Sequence, residues 1–407
     1  MSSSKPPPPT PAHILRTHTA QVNVLQFSRD NERLYSGDAE GVVAVTSTRT
    51  LRPSAVWNAH TDGILGVEEW EECIITHGRD DKLHVWQRVQ EPGASLGHSA
   101  AVPGLQTPKL LYSMDVNALN YCRFSLLPLL DDEGGDERRA LIALPNLVES
   151  SLADVWTLPG RQRLHAAIGK ASHPETSTDG RGINTTGIIM SLHLFQVPHP
   201  EVSGRSQLRM LCAYENGGVT AYAYKRTDKE TSVEGIGWET LWNVKLHVET
   251  VMAMAVSRDN KLALTVSADH LIGRYDIQAA ENAENSQAVC TVHRTKHPGN
   301  ASITIRDDGR VCAVGGWDGK IRLYSTKTLK TLGTLDYHKK SCQTLAFARS
   351  DPSVSNEMTG TIDDVGDSDD DFGEEERRER SRWLAAGGQD NRVSIWPLIS
   401  FDNTTKS

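Results

Sequence analysis

One phrase keeps returning along this chain and constrains everything else: an alternating apolar run, a glycine-rich turn holding an acid or an amide, and a second alternating run ending in an aromatic ring. The clearest copy opens at Ala59-His60, passes through ILGVEEW from Ile64 and Ile74-Ile75-Thr76-His77-Gly78, and closes on DDKLHVW, Asp80 to Trp86. The last copy runs Ala385-Ala386-Gly387-Gly388-Gln389 and closes on DNRVSIW, Asp390 to Trp396. Four copies set an Asp six positions before the closing ring: Asp80 and Trp86, Asp269 and Tyr275, Asp318 and Tyr324, Asp390 and Trp396. Three weaker copies fill the gaps, with Glu40, Ser150 and Asn216 at the acidic place.

Upstream of each phrase lies a further alternating run, among them VLQFS from Val24, VMAMAVS from Val251 and TLAFA from Thr344, so each unit supplies four short antiparallel strands. Four-stranded sheets bury both faces only against neighbouring sheets, which predicts a radial array of seven. From about Ala12 to Leu398 the chain resembles the WD-repeat family. That resemblance implies an all-β, seven-bladed β-propeller in which the N-terminal strand completes the last blade. Residues Ala12 to Arg16 are the candidate, because the final copy stops at Trp396. The expected organisation is a disordered Pro-rich start (1–11), one propeller (12–398) and a short tail (399–407). Insertions are expected at Arg88 to Pro108, Leu127 to Arg138, Gly169 to Thr186, Gln196 to Gln207, Lys225 to Gly237 and Asp351 to Arg382. All but the one from Gly169 to Thr186 join first to second or third to fourth strands, which assigns them to one rim.

Composition narrows the function classes. A net charge of −9 disfavours a protein that grips nucleic acid by neutralising phosphates, although a local basic patch is compatible with it. The six cysteines are scattered without a CxxC pair and sit in apolar runs, as reduced thiols packing like small hydrophobes. The start MSSSKPPPPTP has no apolar stretch of signal-peptide type, and no run is long enough to span a bilayer. No membrane contact is expected, and the nucleus or cytoplasm is the expected site. The sequons at Asn184, Asn300 and Asn403 then read as chance.

Paired Asp and His side chains invite an acid–base reading. The structural reading is stronger: a buried carboxylate needs partners, and the resemblance to WD-repeat proteins implies a hydrogen-bonded lattice in which His18, His60, His247 and His338, standing before first strands, take part. Only the second repeat carries the whole set of His60, Thr76, Asp80 and Trp86, so the others are expected to rely on apolar packing. Gly315 to Lys320 lacks phosphate-loop spacing and a following helix, and no GxSxG, HExxH or zinc spacing occurs. No catalytic residue, cofactor, metal or small-molecule substrate is expected.

The most unusual local feature is TIDDVGDSDDDFGEEERRERSRW, which interrupts the last repeat. Asp363, Asp364, Asp367, Asp369, Asp370, Asp371, Glu374, Glu375 and Glu376 form a negative block read as a disordered, solvated loop, or as a docking segment for a basic partner tuned by phosphorylation of Ser368. Its Glu-to-Arg end has the pairing of a short helix. A smaller acidic loop runs from Asp131 to Asp136.

The opening PAHILRTHTAQVNVLQFS, the turn LYSGDAEGVVAV, the blade WNAHTDGILGVEEW to ITHGRDDKLHVWQ, the run PNLVESSLADVWTLP and the close LAAGGQDNRVSIWPL together resemble the fungal ASTRA-associated protein 1 family, and distantly the G-protein-β-like protein 1 group. The resemblance implies a nuclear, non-enzymatic scaffold subunit whose partners are the other proteins of an ASTRA-like assembly, tied to chromatin remodelling and to co-chaperoning of phosphatidylinositol-3-kinase-like kinases. It carries over no catalytic residue. Two alternatives stand beside it: a reader of basic histone tails at an acidic rim, and a propeller enzyme with a central-channel site.

Overall fold

The computed structural model describes residues 9–89, 105–129, 139–170, 186–200, 202–350 and 374–398. Seven four-stranded antiparallel sheets are formed. The first contains β2 (Val22–Phe27), β3 (Arg33–Asp38), β4 (Val42–Ser47) and β5 (Pro53–Asn58). The second contains β6 (Ile64–Trp70), β7 (Cys73–Gly78), β8 (Lys82–Gln87) and β9 (Lys109–Asp115). The third holds β10 (Ser125–Pro128), β11 (Ala140–Pro145), β12 (Ala153–Leu158) and β13 (Arg163–Ile168), and the fourth β14 (Ile189–Pro198), β15 (Ser206–Tyr214), β16 (Gly218–Tyr224) and β17 (Trp238–Lys245). The fifth comprises β18 (Val251–Val256), β19 (Leu262–Ser267), β20 (Leu271–Asp276) and β21 (Thr291–Arg294). The sixth is β22 (Asn300–Ile305), β23 (Val311–Gly316), β24 (Lys320–Ser325) and β25 (Thr331–Asp336). The seventh joins β26 (Cys342–Phe347), β27 (Trp383–Gly388) and β28 (Val393–Pro397) to β1 (His13–Leu15), the first strand of the chain. These are the blades of a seven-bladed β-propeller, with the N-terminal strand in the last blade as expected.

The composition of each strand follows its place in the blade. Second strands are covered on both faces, so β11 (ALIALP), β23 (VCAVGG) and β27 (WLAAGG) are buried at every position and use small or branched side chains. Fourth strands have one covered face and alternate, as β17 does with Trp238, Trp242 and Val244 inward and Glu239, Asn243 and Lys245 outward.

The chain divides into two compact units, residues 1–76, 85–112 and 304–407 in one and residues 77–84 and 113–303 in the other. In the first, Tyr35, Trp57, Ile64 and Trp86 belong to one buried cluster, and Ala313, Leu335, Cys342, Leu384 and Trp396 to another. In the second, Val155, Ile189, Met210, Tyr222 and Trp238 pack together, as do Leu211, Trp242, Val251 and Tyr275. All six cysteines are free, and burial pushes the Cys212 thiol up to about 12 and the Cys290 thiol up to about 11, which keeps both protonated. No helix among the described residues is long and apolar enough to cross a membrane.

Two insertions differ from expectation. The one at Gln196 to Gln207 is partly strand, because β14 and β15 continue pairing out to Pro198 and Ser206. A further insertion, between β20 and β21, folds as α1 (Ile277–Asn282) and α2 (Ser286–Val289), capped by Asp276 and Asn285, with Ile277 and Ala280 buried. The segment Lys225 to Gly237 returns to the edge strand β13, where Ser232 exchanges backbone hydrogen bonds with Leu164 and Ala166 and Gly235 donates to Ala166. An edge that would otherwise template pairing with another chain is thereby covered.

The β1–β28 ladder pairs His13 with Ile395, Ile14 with Ser394 and Leu15 with Val393. Removing residues 1–16 leaves β28 with an unpaired edge beside the buried Leu25, Trp383 and Ile395. The truncated chain is expected to lose several degrees of thermal midpoint and to form oligomers on size exclusion; a monomer with an unchanged midpoint would contradict this role for β1.

Candidate functional site

Among the residues singled out in the sequence, His, Asp and a hydroxyl meet at the second-to-third-strand turns of three blades. In the seventh blade the whole set is joined. His338 Nδ1 donates to Asp390 Oδ1 at 2.9 Å, Ser394 Oγ lies 2.8 Å from His338 Nε2, and Trp396 Nε1 donates to Ser394 Oγ at 2.9 Å. In the first blade His18 bridges Asp38 Oδ2 at 2.8 Å and Ser36 Oγ at 2.7 Å, and in the fifth His247 bridges Asp269 Oδ2 at 3.0 Å and Thr265 Oγ1 at 2.7 Å. The second blade joins His60 Nε2 to Thr76 Oγ1 at 2.8 Å, with Trp86 Nε1 donating to the same hydroxyl at 2.9 Å; Asp80 stands half-buried in the β7–β8 turn.

The expectation that only the second blade carries a full set is therefore corrected. The seventh does too, but its hydroxyl sits elsewhere: Ala386 occupies the β27 position where β7 has Thr76, and Ser394 lies directly opposite Ala386 on β28. The pairs Ser36 with Ala44 and Thr265 with Gly273 follow the same rule, one hydroxyl facing one small residue. Space explains it. A Cβ on Gly273 would lie 2.5 Å from Thr265 Oγ1 and 3.1 Å from His247 Nε2, so the imidazole fits only beside a small neighbour.

A second correction concerns the acid of the first blade. Asp38, buried at the end of β3, takes the role assigned to Glu40, accepting from the amides of Glu40 and Val42 at 3.0 Å each as well as from His18. Burial pushes the Asp38 carboxyl up, and the hydrogen bonds from His18 and the Val42 amide outweigh it, leaving the group below its ordinary value. In the third blade Ser150 does not supply the acid. The buried Asp154 does, accepting from Asn146 Nδ2 and the Ala167 amide at 2.8 Å each. Asn117 Nδ2 there donates to the Asn146 carbonyl at 2.7 Å, and Asn120 Nδ2 to the Ser150 and Ile189 carbonyls, doing with amides what histidine does elsewhere. In the sixth blade Asp318 accepts from the buried Arg322 at 2.5 and 3.1 Å, and Tyr324 is buried behind it. Tyr275 closes the fifth blade, stacked on Trp242 with centroids 6.0 Å apart.

Two of the histidines also reach backward. His60 N donates to Gly41 O at 3.2 Å and His247 N to Gly217 O at 3.3 Å, so the backbone rests on one blade while the ring enters the next. Gly41, Gly217 and Gly319 have φ of 84, 89 and 77°, and a Cβ on each would stand 2.1 to 2.4 Å from the carbonyl oxygen of His60, His247 and His338 respectively. Asn391 replaces glycine in the last blade with φ 62°, and its side chain donates to Thr19 O at 2.6 Å, beside His18.

Ser394, His338 and Asp390 have the connectivity of a hydrolytic triad, but the hydroxyl is fully buried and its oxygen is already engaged by the Trp396 indole. These carboxylates and imidazoles are used to hold turns.

Of the acidic block, Asp363, Asp364, Asp367, Asp369, Asp370 and Asp371, together with Ser368 and the loop from Asp131 to Asp136, lie outside the described residues. Glu374, Glu375 and Glu376 open the helix α3 (Glu374–Arg380), in which Glu376 pairs with Arg380 at 3.4 Å. Arg380 is buried, and burial pulls its guanidinium below its ordinary value.

Comparison with known proteins agrees with this geometry. Residues 9–46 and 289–325 match the WD domain, G-beta repeat family, each stretch running from the fourth strand of one blade through the third of the next. The chain is 34% identical to ASTRA-associated protein 1 of Verticillium alfalfae, across 97% of this chain and 94% of that one. It belongs to the ASTRA-associated protein 1 family. Relatives of the same name include those of Pyricularia oryzae, 30% identical over 98% of this chain and 99% of the relative, and Schizosaccharomyces pombe, 27% over 83% and 93%.

Two predictions follow from the network. Asp390→Ala strands a buried imidazole donor and is expected to cost about 3 kcal/mol, and Ser394→Ala, which strands Trp396 Nε1, about 2 kcal/mol. Urea titration checks both, and losses under about 0.5 kcal/mol would contradict the network. The second concerns His165 on β13, bonded to Ser232 Oγ at 3.0 Å and packed on Tyr224 and Trp238, whose pKa burial brings down from 6.5 to about 4. Its unfolded form takes a proton near 6.5, so the stability it contributes is complete above that pH and is lost as pH falls from 6.5 toward 4. His165→Gln is expected to remove up to about 3 kcal/mol of this acid destabilisation, read as the wild-type minus variant difference at pH 7 and pH 4. Parallel pH profiles would refute it.

Proposed function

We propose that this protein is a non-catalytic scaffold subunit of a nuclear ASTRA-like assembly, serving chromatin remodelling and the co-chaperoning of phosphatidylinositol-3-kinase-like kinases. The observation that carries the reading is end-to-end similarity, over 97% and 98% of this chain, to proteins named for association with ASTRA. A protein alike along nearly the whole length of both chains is expected to make the same kind of assembly.

The site chemistry supports the non-catalytic part. Each imidazole that meets a carboxylate across a second-to-third-strand turn also meets a hydroxyl on the same blade, and those hydroxyls are buried. A general base needs hydrogen-bond reach of a substrate proton, and these groups reach one another instead. What a rigid array of blades offers is surface, in loops held by scaffold strands.

Tagged protein expressed at its native level and recovered under several ionic conditions is expected to bring down a stable set of large subunits, and a fluorescent fusion to concentrate in the nucleus. Recovery only as a free monomer, or exclusion from the nucleus, would refute the assignment.

A further inference from the structure

On the first unit, the segment Tyr337 to Ser341 runs between two turns. On one side is the sixth-blade turn Gly316 to Gly319, where Gly319 lies against the His338 and Lys340 carbonyls. On the other is the seventh-blade turn, where Gln389 N donates to Ser341 O at 2.9 Å and Arg392 donates to the Tyr337 hydroxyl at 3.0 Å. At the apex of the first turn Trp317 is 49% exposed, and Lys339 and Lys340 are exposed on the segment whose carbonyls lie against that turn. An indole on a turn tip leaves about half its surface to water, and tryptophan is among the side chains most enriched at binding hot spots.

The charges around it are unequal. Asp318 is paired with Arg322, Asp336 with Lys320 at 3.2 Å, and Asp390 with His338. Lys339 and Lys340 have no ion pair among the described residues. Five cations (Lys320, Arg322, Lys339, Lys340, Arg392) thus face three occupied carboxylates, on a chain whose net charge is −9.

We infer that Trp317, Lys339, Lys340 and Arg392 form a docking site for an acidic peptide segment of a partner protein, its apolar side chain on the indole and its carboxylates on the ammonium groups. A short peptide senses mainly charges within a Debye length of about 8 Å, where the patch is positive. A nucleic acid, with its long run of phosphates, also meets the surrounding negative charge, which favours the peptide. This deepens the scaffold reading by naming the chemistry of one partner.

The test uses the full chain and a fluorescein-labelled peptide bearing a Leu-Phe pair between two runs of glutamate, read by fluorescence anisotropy. The control peptide has glutamine for glutamate, and a single-stranded oligothymidylate serves as the nucleic-acid arm. Saturable binding of the glutamate peptide that weakens with salt is expected, reduced about tenfold by Trp317→Ala and about tenfold or more by Lys339→Glu with Lys340→Glu. All three residues are exposed, so the variants should keep the wild-type thermal midpoint. Absence of saturable binding, equal binding of the glutamine peptide, insensitivity to both variants, or tighter binding of the oligonucleotide at the same residues would each overturn the inference. If it fails while large subunits still co-purify with the chain, the scaffold reading stands without this site.

Discussion

The histidine clamp is the interaction on which the other features depend. His18, His60, His247 and His338 each place a ring against a hydroxyl in one blade, and His60 and His247 donate their backbone amides to a glycine turn of the blade before. Apolar burial would drive such sheets together without fixing how far one slides over the next, because it has no direction. Hydrogen bonds have direction, and a buried donor left unmade costs as much as several good contacts gain. The clamp therefore sets register between neighbouring sheets, and the left-handed glycines at Gly41, Gly217 and Gly319 are what allow the approach. Where histidine is missing, other groups with fixed geometry take over: Asn117 and Asn120 before the third blade, and Arg322 within the sixth.

The seven-blade count, the closure by the N-terminal strand and the placement of most insertions were readable because spacing and alternation are properties of the strand itself. Less of the clamp was readable. Ser394 stands on the strand opposite the expected one, and a linear pattern does not reveal which residues a ladder sets face to face. Asp38 lies two positions ahead of the acid that spacing favoured, since a carboxylate reaches the same turn amides from either place. In LVESSLADVW the turn before Asp154 is held by Asn146 instead of a glycine, which hid the match. The helices α1 and α2 are too short to produce a helical period, so Ile277 to Val289 went unrecognised as an insertion.

These details bear on function. A buried Ser and His with a half-buried Asp in one run of hydrogen bonds resemble, as a list of residues, a hydrolytic triad; here the Trp396 indole already engages the hydroxyl oxygen from within. With these imidazoles and carboxylates hydrogen-bonded at turns, exposed surface is offered by loops and turn tips, Trp317 among them. The same turns that need the clamp for their shape thus present the side chains available to partners.

The most direct measurement is native-state amide hydrogen exchange at Val42 and Leu271, whose N–H groups donate to the clamped carboxylates of Asp38 and Asp269 at 3.0 and 2.8 Å, read against Val393 in the β1–β28 ladder. If the clamps hold the blades in register, both turn amides exchange only through global unfolding, at the same free energy as Val393, and His247→Ala releases Leu271. Exchange of Val42 and Leu271 at the rate of open loops in the unaltered protein would contradict the clamp as the element that organises the fold.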